Sequence, residues 1–154
     1  IMKRFLLFLL AVVTGLTSYA TDYKLVTDAS QLELGAKYLI VGTNSKGTYA
    51  MGTLNNTNHY AIAVTVENNT VTVGDQSNLA AKDQIAPVEL VTAEDNNYPY
   101  GLKVGEKYLY AASTTSNHLK DAADLSNNNS HASIQIAENG VATVKFNNFT
   151  VVAD

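Results

Sequence analysis

Short runs of alternating apolar and small or polar positions, broken by asparagine, make up most of this chain. Residues 60–66 (Tyr-Ala-Ile-Ala-Val-Thr-Val) and 70–73 (Thr-Val-Thr-Val) keep a period of two on either side of Glu67-Asn68-Asn69. That pattern predicts a β-hairpin. A second hairpin is predicted from residues 134–136 and 141–146, because Asn139-Gly140 between them tolerates the positive φ of a tight turn. Asn147-Asn148 then separates residues 143–146 from 149–152, which predicts a closing meander of short antiparallel strands. Helix is nearly absent after residue 20. Asp28 as an N-cap, with Gly35 closing the segment, predicts one or two turns over residues 28–32, and residues 76–82 offer a second short turn. Neither is long enough to organise a fold.

The front of the chain follows a different pattern. Met2-Lys3-Arg4 is a basic start, residues 5–13 are an unbroken apolar run, and Ser18-Tyr19-Ala20 places small residues where a signal peptidase reads them. This is the form of a secretory signal peptide spanning residues 1–20. The run is shorter than the roughly twenty residues that cross a bilayer as a helix, so an uncleaved anchor is the weaker reading. Cleavage after Ala20 leaves residues 21–154, sufficient for one β-rich domain.

An internal echo organises that domain. Gly35-Ala-Lys-Tyr-Leu-Ile recurs as Gly105-Glu-Lys-Tyr-Leu-Tyr, each copy followed by a small-polar turn and another short strand. The fold class expected is all-β, either β-trefoil-like or a small barrel of short antiparallel strands. A β-sandwich is the alternative.

Several motifs together resemble a family. They are Leu-Val-Thr-Asp-Ala-Ser-Gln-Leu (25–32), Gly-x-Lys-Tyr-Leu-Ile-Val (35–41), Tyr-Ala-Met-Gly (49–52), Ala-Val-Thr-Val (63–66) and Lys-Tyr-Leu-Tyr-Ala-Ala-Ser (107–113). The pattern is similar to an uncharacterised β-rich module of secreted multidomain proteins from gut-type Gram-negative bacteria, sometimes found beside extracellular nuclease or glycan-active domains. The resemblance implies export and neighbouring domains but transfers no catalytic motif. Members of that module continue with a further Tyr-Leu strand and an aromatic hairpin. The resemblance therefore implies a domain incomplete at its C-terminus, and Ile1 ahead of Met2 fits a fragment.

Charge narrows the partners. Without residues 1–20 the chain has eight Lys and no Arg against 14 acidic residues, a net charge of −6. Nucleic acid is not expected as a partner, since phosphate binding relies on clustered cations. No basic amphipathic stretch follows the leader, so docking on anionic lipid is not expected either. With no cysteine, disulfides, thiolate metal sites, thiol nucleophiles and a lipoprotein anchor are all removed. The expected location is periplasmic, cell-surface or secreted.

Chemistry-bearing motifs are few. The chain has no Gly-x-Ser-x-Gly elbow, no His-Glu-x-x-His and no Gly-rich phosphate loop, so it is not expected to be an enzyme or to hold a cofactor. His59, His118 and His131 are irregularly spaced in Asn/Ser-rich stretches and read as solvated loop residues rather than metal ligands. Acid pairs such as Glu94-Asp95 or Asp121 and Asp124 read as solvated charges rather than a glycosidase pair. The ligand-binding candidates are Tyr98, Tyr100, Tyr110, Asn117 and His118. Sugar rings stack on aromatic faces while amide and imidazole groups take the hydroxyls, so glycan or another surface polymer is the expected partner class. Tyr98 and Tyr100 also suit a plug at the end of a small barrel. A purely structural or adhesive segment, or less readily a hydrolase fragment, would carry the same residues.

Overall fold

The computed structural model describes residues 4–10, 20–112, 118–147 and 149–150. Thirteen strands are assigned: β1 (Arg4–Leu10), β2 (Thr21–Leu25), β3 (Lys37–Asn44), β4 (Gly47–Asn55), β5 (Asn58–Ala63), β6 (Thr70–Val73), β7 (Val88–Thr92), β8 (Tyr100–Val104), β9 (Lys107–Ala111), β10 (Leu119–Ala122), β11 (Ala132–Ile136), β12 (Val141–Phe146) and β13 (Phe149–Thr150). The protein is all-β. Its sheet runs β5-β4-β3-β7-β8-β11-β12-β1-β2-β6, and a further β3–β1 pairing joins β3, β7, β8, β11, β12 and β1 into a ring. The result is a small antiparallel barrel with strands added at its margins. The apolar start that reads as a leader supplies β1, while residues 11–19 lie outside the described part.

Local chemistry explains the turns. Asn139-Gly140 closes the β11–β12 hairpin, with Gly140 at φ 79° and five residue pairs from Ala132↔Phe146 to Ile136↔Ala142. The next reversal pairs β12 with β13 through Phe146↔Phe149 and Lys145↔Thr150, as the Asn147-Asn148 break predicts; residues 151–152 of that expected strand lie outside the described residues. Asp28 caps a single 3₁₀ turn, Ala29–Gln31, by accepting from Ser30 N–H at 2.7 Å, while Gln31 Oε1 accepts from Asp28 N–H at 3.2 Å. In the 76–82 stretch only a 3₁₀ turn at Ala81–Asp83 forms.

The 60–73 hairpin is a correction. Asn68 and Asn69 do turn the chain, at φ 50° and 58°, but the ladder between its arms stops at the single bridge Glu67↔Thr70. Beyond it β5 pairs with β4 and β6 pairs with β2. Alternation specified two strands and a turn; partner choice was decided by where the second core lay.

Two cores account for the burial. One gathers Tyr38, Ile40, Val88, Leu90, Leu102, Leu109, Ile134, Val144 and Phe146, and the other Tyr23, Leu39, Val41, Ala50, Val71 and Val73. Strand β3 separates them, so its successive side chains are buried on both faces. Full burial of each such Leu or Val contributes about 1.5–3 kcal/mol. The two Gly-x-Lys-Tyr-Leu copies share a local geometry, a left-handed glycine (Gly35 φ 81°, Gly105 φ 57°) followed by a strand starting at Lys. They differ in packing: Tyr38 and Leu39 are both buried, whereas in β9 Leu109 is buried and Tyr108 half-buried.

Candidate functional site

The tyrosines fall on two sides of the sheet. Strands β8 and β9 pair through Lys103↔Tyr108 and Val104↔Lys107. Extended along the ladder, that register sets Leu102 against Leu109 on the inner face and turns Tyr110 outward. Tyr100 packs half-buried against the barrel core, on the face opposite Tyr110. Tyr110 pairs with Lys120 of β10, and the ladder continues as Ala112 N–H donates to the His118 carbonyl at 3.0 Å. His118 thus follows Tyr110 on the outer side. Tyr98 lies in the β7–β8 loop, its N–H donating to Asp95 Oδ1 at 3.0 Å. Asn117 lies outside the described residues. The four described candidates therefore do not form one surface: Tyr110 and His118 share a side, and Tyr98 and Tyr100 belong to the β7–β8 end.

Two histidines correct the reading of solvated loop residues. His59 sits in β5 beside the register shift between Met51 and Leu54, with its side chain 3% exposed. Its Nδ1 is 2.6 Å from the Gly52 carbonyl and its Nε2 is 2.9 Å from Asp121 Oδ1 in β10. Both neighbours are acceptors, so Nδ1–H donates to Gly52 and a proton is held between Nε2 and the Asp121 carboxylate. Asp121, 10% exposed, is thus a buried partner rather than a solvated charge. This pair ties the edge strand β5 to β10.

His131 is the second correction. It is buried, and its Nε2–H donates to the Leu125 carbonyl at 2.8 Å. Its Nδ1 stands 3.5 Å from Asp95 Oδ2, close enough for charge attraction but too long for a good hydrogen bond, and it has no hydrogen-bond partner. Asp95 organises the loop around it. The Asn97 N–H bond, aided by Tyr98 N–H and His131, holds the Asp95 carboxyl below the usual carboxylate range against the opposing effect of burial. Asn147 Nδ2 also donates to Asp95 Oδ2 at 3.0 Å. Ser130, next to His131, is no nucleophile of a triad: it is fully buried and its hydroxyl donates to the Asn127 carbonyl at 2.6 Å.

A concave surface lies elsewhere. A cleft of about 420 Å³ opens where β5, β6 and the 74–85 segment meet. Its aliphatic part comes from Ile62, Val64, Val73, Leu79 and Ile85, and its polar part from Thr65, Thr70, Thr72, Glu67, Asp75 and Asp83. Gln76 holds its wall in place, as Oε1 accepts from Ile85 N–H at 2.6 Å and Nε2 donates to the Ile85 carbonyl at 3.2 Å. Gly52 lets that wall approach: a Cβ there would stand 2.9 Å from the Gln84 carbonyl oxygen. Asp75 is kept ionised by hydrogen bonds from Ser77, which lower its pKa. Among the described residues, no Lys, Arg, His or aromatic residue lines the cleft. Sequence reading missed it because its walls come from strands that pair with different partners.

Among the described residues, no three His, Asp or Glu side chains are grouped so as to hold a metal ion. Among the described residues, no helix is long and apolar enough to cross a membrane. Comparison with known families, characterised proteins and solved structures finds no match.

Proposed function

We propose that this chain is an exported, non-enzymatic accessory module that binds a neutral polyhydroxylated ligand, a glycan or related surface polymer, in the β5–β6 cleft. The observation that carries the reading is the composition of that cleft: threonine hydroxyls and carboxylates around an aliphatic wall. Hydroxyls and carboxylates suit sugar hydroxyls, the aliphatic wall suits the C–H face of a sugar ring, and the acidic groups disfavour anionic ligands. A glycan array screen of the exported chain tests it. Saturable binding abolished by Thr72→Arg, with Tyr98→Ala/Tyr100→Ala left binding, supports the cleft. Loss in the tyrosine variant alone moves the site to the β7–β8 end, and a folded protein that binds no glycan refutes the reading.

One observation favours a second reading, an adhesive segment that engages another protein. The sheet path ends at β5 and β6, and both strands line the cleft. Edge strands accept an added strand through main-chain hydrogen bonds.

A further inference from the structure

The outward side of the sheet around β9 carries the opposite charge to the cleft. Five residues stand directly opposite one another across five strands: Lys37 in β3, Glu89 in β7, Lys103 in β8, Tyr108 in β9 and Ala122 in β10. Directly opposed residues share a face, so this row lies on one side of the sheet. Tyr110, two residues along β9, adds a second ring to that side, and Lys120 stands opposite it.

Three lysines on this face meet one glutamate. Glu89 lies between Lys37 and Lys103 and offsets one of them. Asp121 falls on the alternate face of β10, where it meets His59, and Asp124 in the following turn accepts from Ser126 N–H. Among the described residues, neither Lys103 nor Lys120 has an ion-pair partner. Both lysines and both tyrosines are half-buried. Their side chains are held against the sheet, so less rotamer freedom is lost when they bind. Ala122, opposite Tyr108, is too small to cover that ring from the β10 side.

We infer that the β8–β10 face binds an acidic polysaccharide, with sugar rings lying on Tyr108 and Tyr110 and carboxylates meeting Lys103 and Lys120. The two lysines flank the tyrosine pair on a diagonal, their Cα atoms about 12 Å apart by strand spacing and rise. That separation suits a polymer carrying carboxylates at intervals rather than one small anion. A polynucleotide also presents rings and anions, but two unpaired lysines supply few of the phosphate contacts it needs. The face is separate from the β5–β6 cleft, whose carboxylates disfavour an anionic ligand, so it goes beyond the cleft reading and does not rest on it.

Titration calorimetry of the purified protein with oligogalacturonate at low salt tests the inference. Saturable binding is expected, and neutral dextran should not displace it. Lys103→Gln/Lys120→Gln should weaken binding roughly tenfold with an unchanged urea midpoint, since each charge contact on a partly exposed face is modest. Lys103→Arg/Lys120→Arg keeps both charges and should retain binding. Tyr110→Ala should also weaken it. Truncating a half-buried ring can disturb the fold as well, so the lysine variants decide. A folded protein that binds no oligogalacturonate, undiminished binding by the glutamine variant, or displacement by dextran overturns the inference. Tighter binding of oligothymidylate than of oligogalacturonate overturns it too, in favour of nucleic acid. None of these failures touches the cleft, which the Thr72→Arg comparison tests by itself.

Discussion

Truncating Asp121 to alanine should destabilise the protein by about 3 kcal/mol, because a buried imidazole would lose the group that shares its proton. His59 has a side chain 3% exposed, Nδ1 committed to the Gly52 carbonyl and Nε2 facing Asp121 at 2.9 Å. Loss of one member of a buried pair costs about 3–5 kcal/mol, and the 10% exposure of Asp121 argues for the lower end. For a domain of this size that corresponds to a fall in Tm of roughly 10 °C. Urea unfolding followed by circular dichroism and by tyrosine fluorescence gives the free energies. His59→Ala, Asp121→Ala and the double variant complete a cycle in which the double change should cost little more than either single change, a coupling of about 2 kcal/mol. Single effects that simply add, or an Asp121→Ala cost below about 0.5 kcal/mol, would show that the pair does not join β5 to β10 energetically.

Two more predictions concern the frame of the cleft and its opposite end. Gly52→Ala should cost about 1–3 kcal/mol in urea unfolding, since its Cβ would stand 2.9 Å from the Gln84 carbonyl oxygen and from Ile62 Cγ1; an unchanged midpoint would refute the close approach. Asp95 has a folded-state pKa held down, first by Asn97 N–H, so its contribution is present above the unfolded value of about 4 and is lost as pH falls through the lower folded value. The stability difference between wild type and Asp95→Asn should therefore hold steady above about pH 5 and narrow as the pH falls below about 4, and a difference that stays constant on acidification would sink the assignment.

Alternation and turn chemistry determined the element types. Gly140 closes the β11–β12 hairpin because a positive φ is a property of glycine itself, and Asp28 capped its turn through a contact two residues away. Cysteine content, charge balance and the apolar start were likewise readable without coordinates.

Tertiary structure alone decided which strands pair and what the histidines do. Thr70–Val73 joins β2 rather than β5, because a period of two says which face is apolar but not which neighbour covers it. His59 meets Asp121 across 62 positions, and Asp95 meets Asn147 across 52, so neither pairing leaves a local trace in the sequence. The cleft belongs to the same class: its walls come from residues 62–65, 70–76 and 79–85, and it exists only because β5 and β6 turn away from each other to different partners. Local backbone preference is written residue by residue, whereas a site assembled over tens of residues depends on how two cores share one strand.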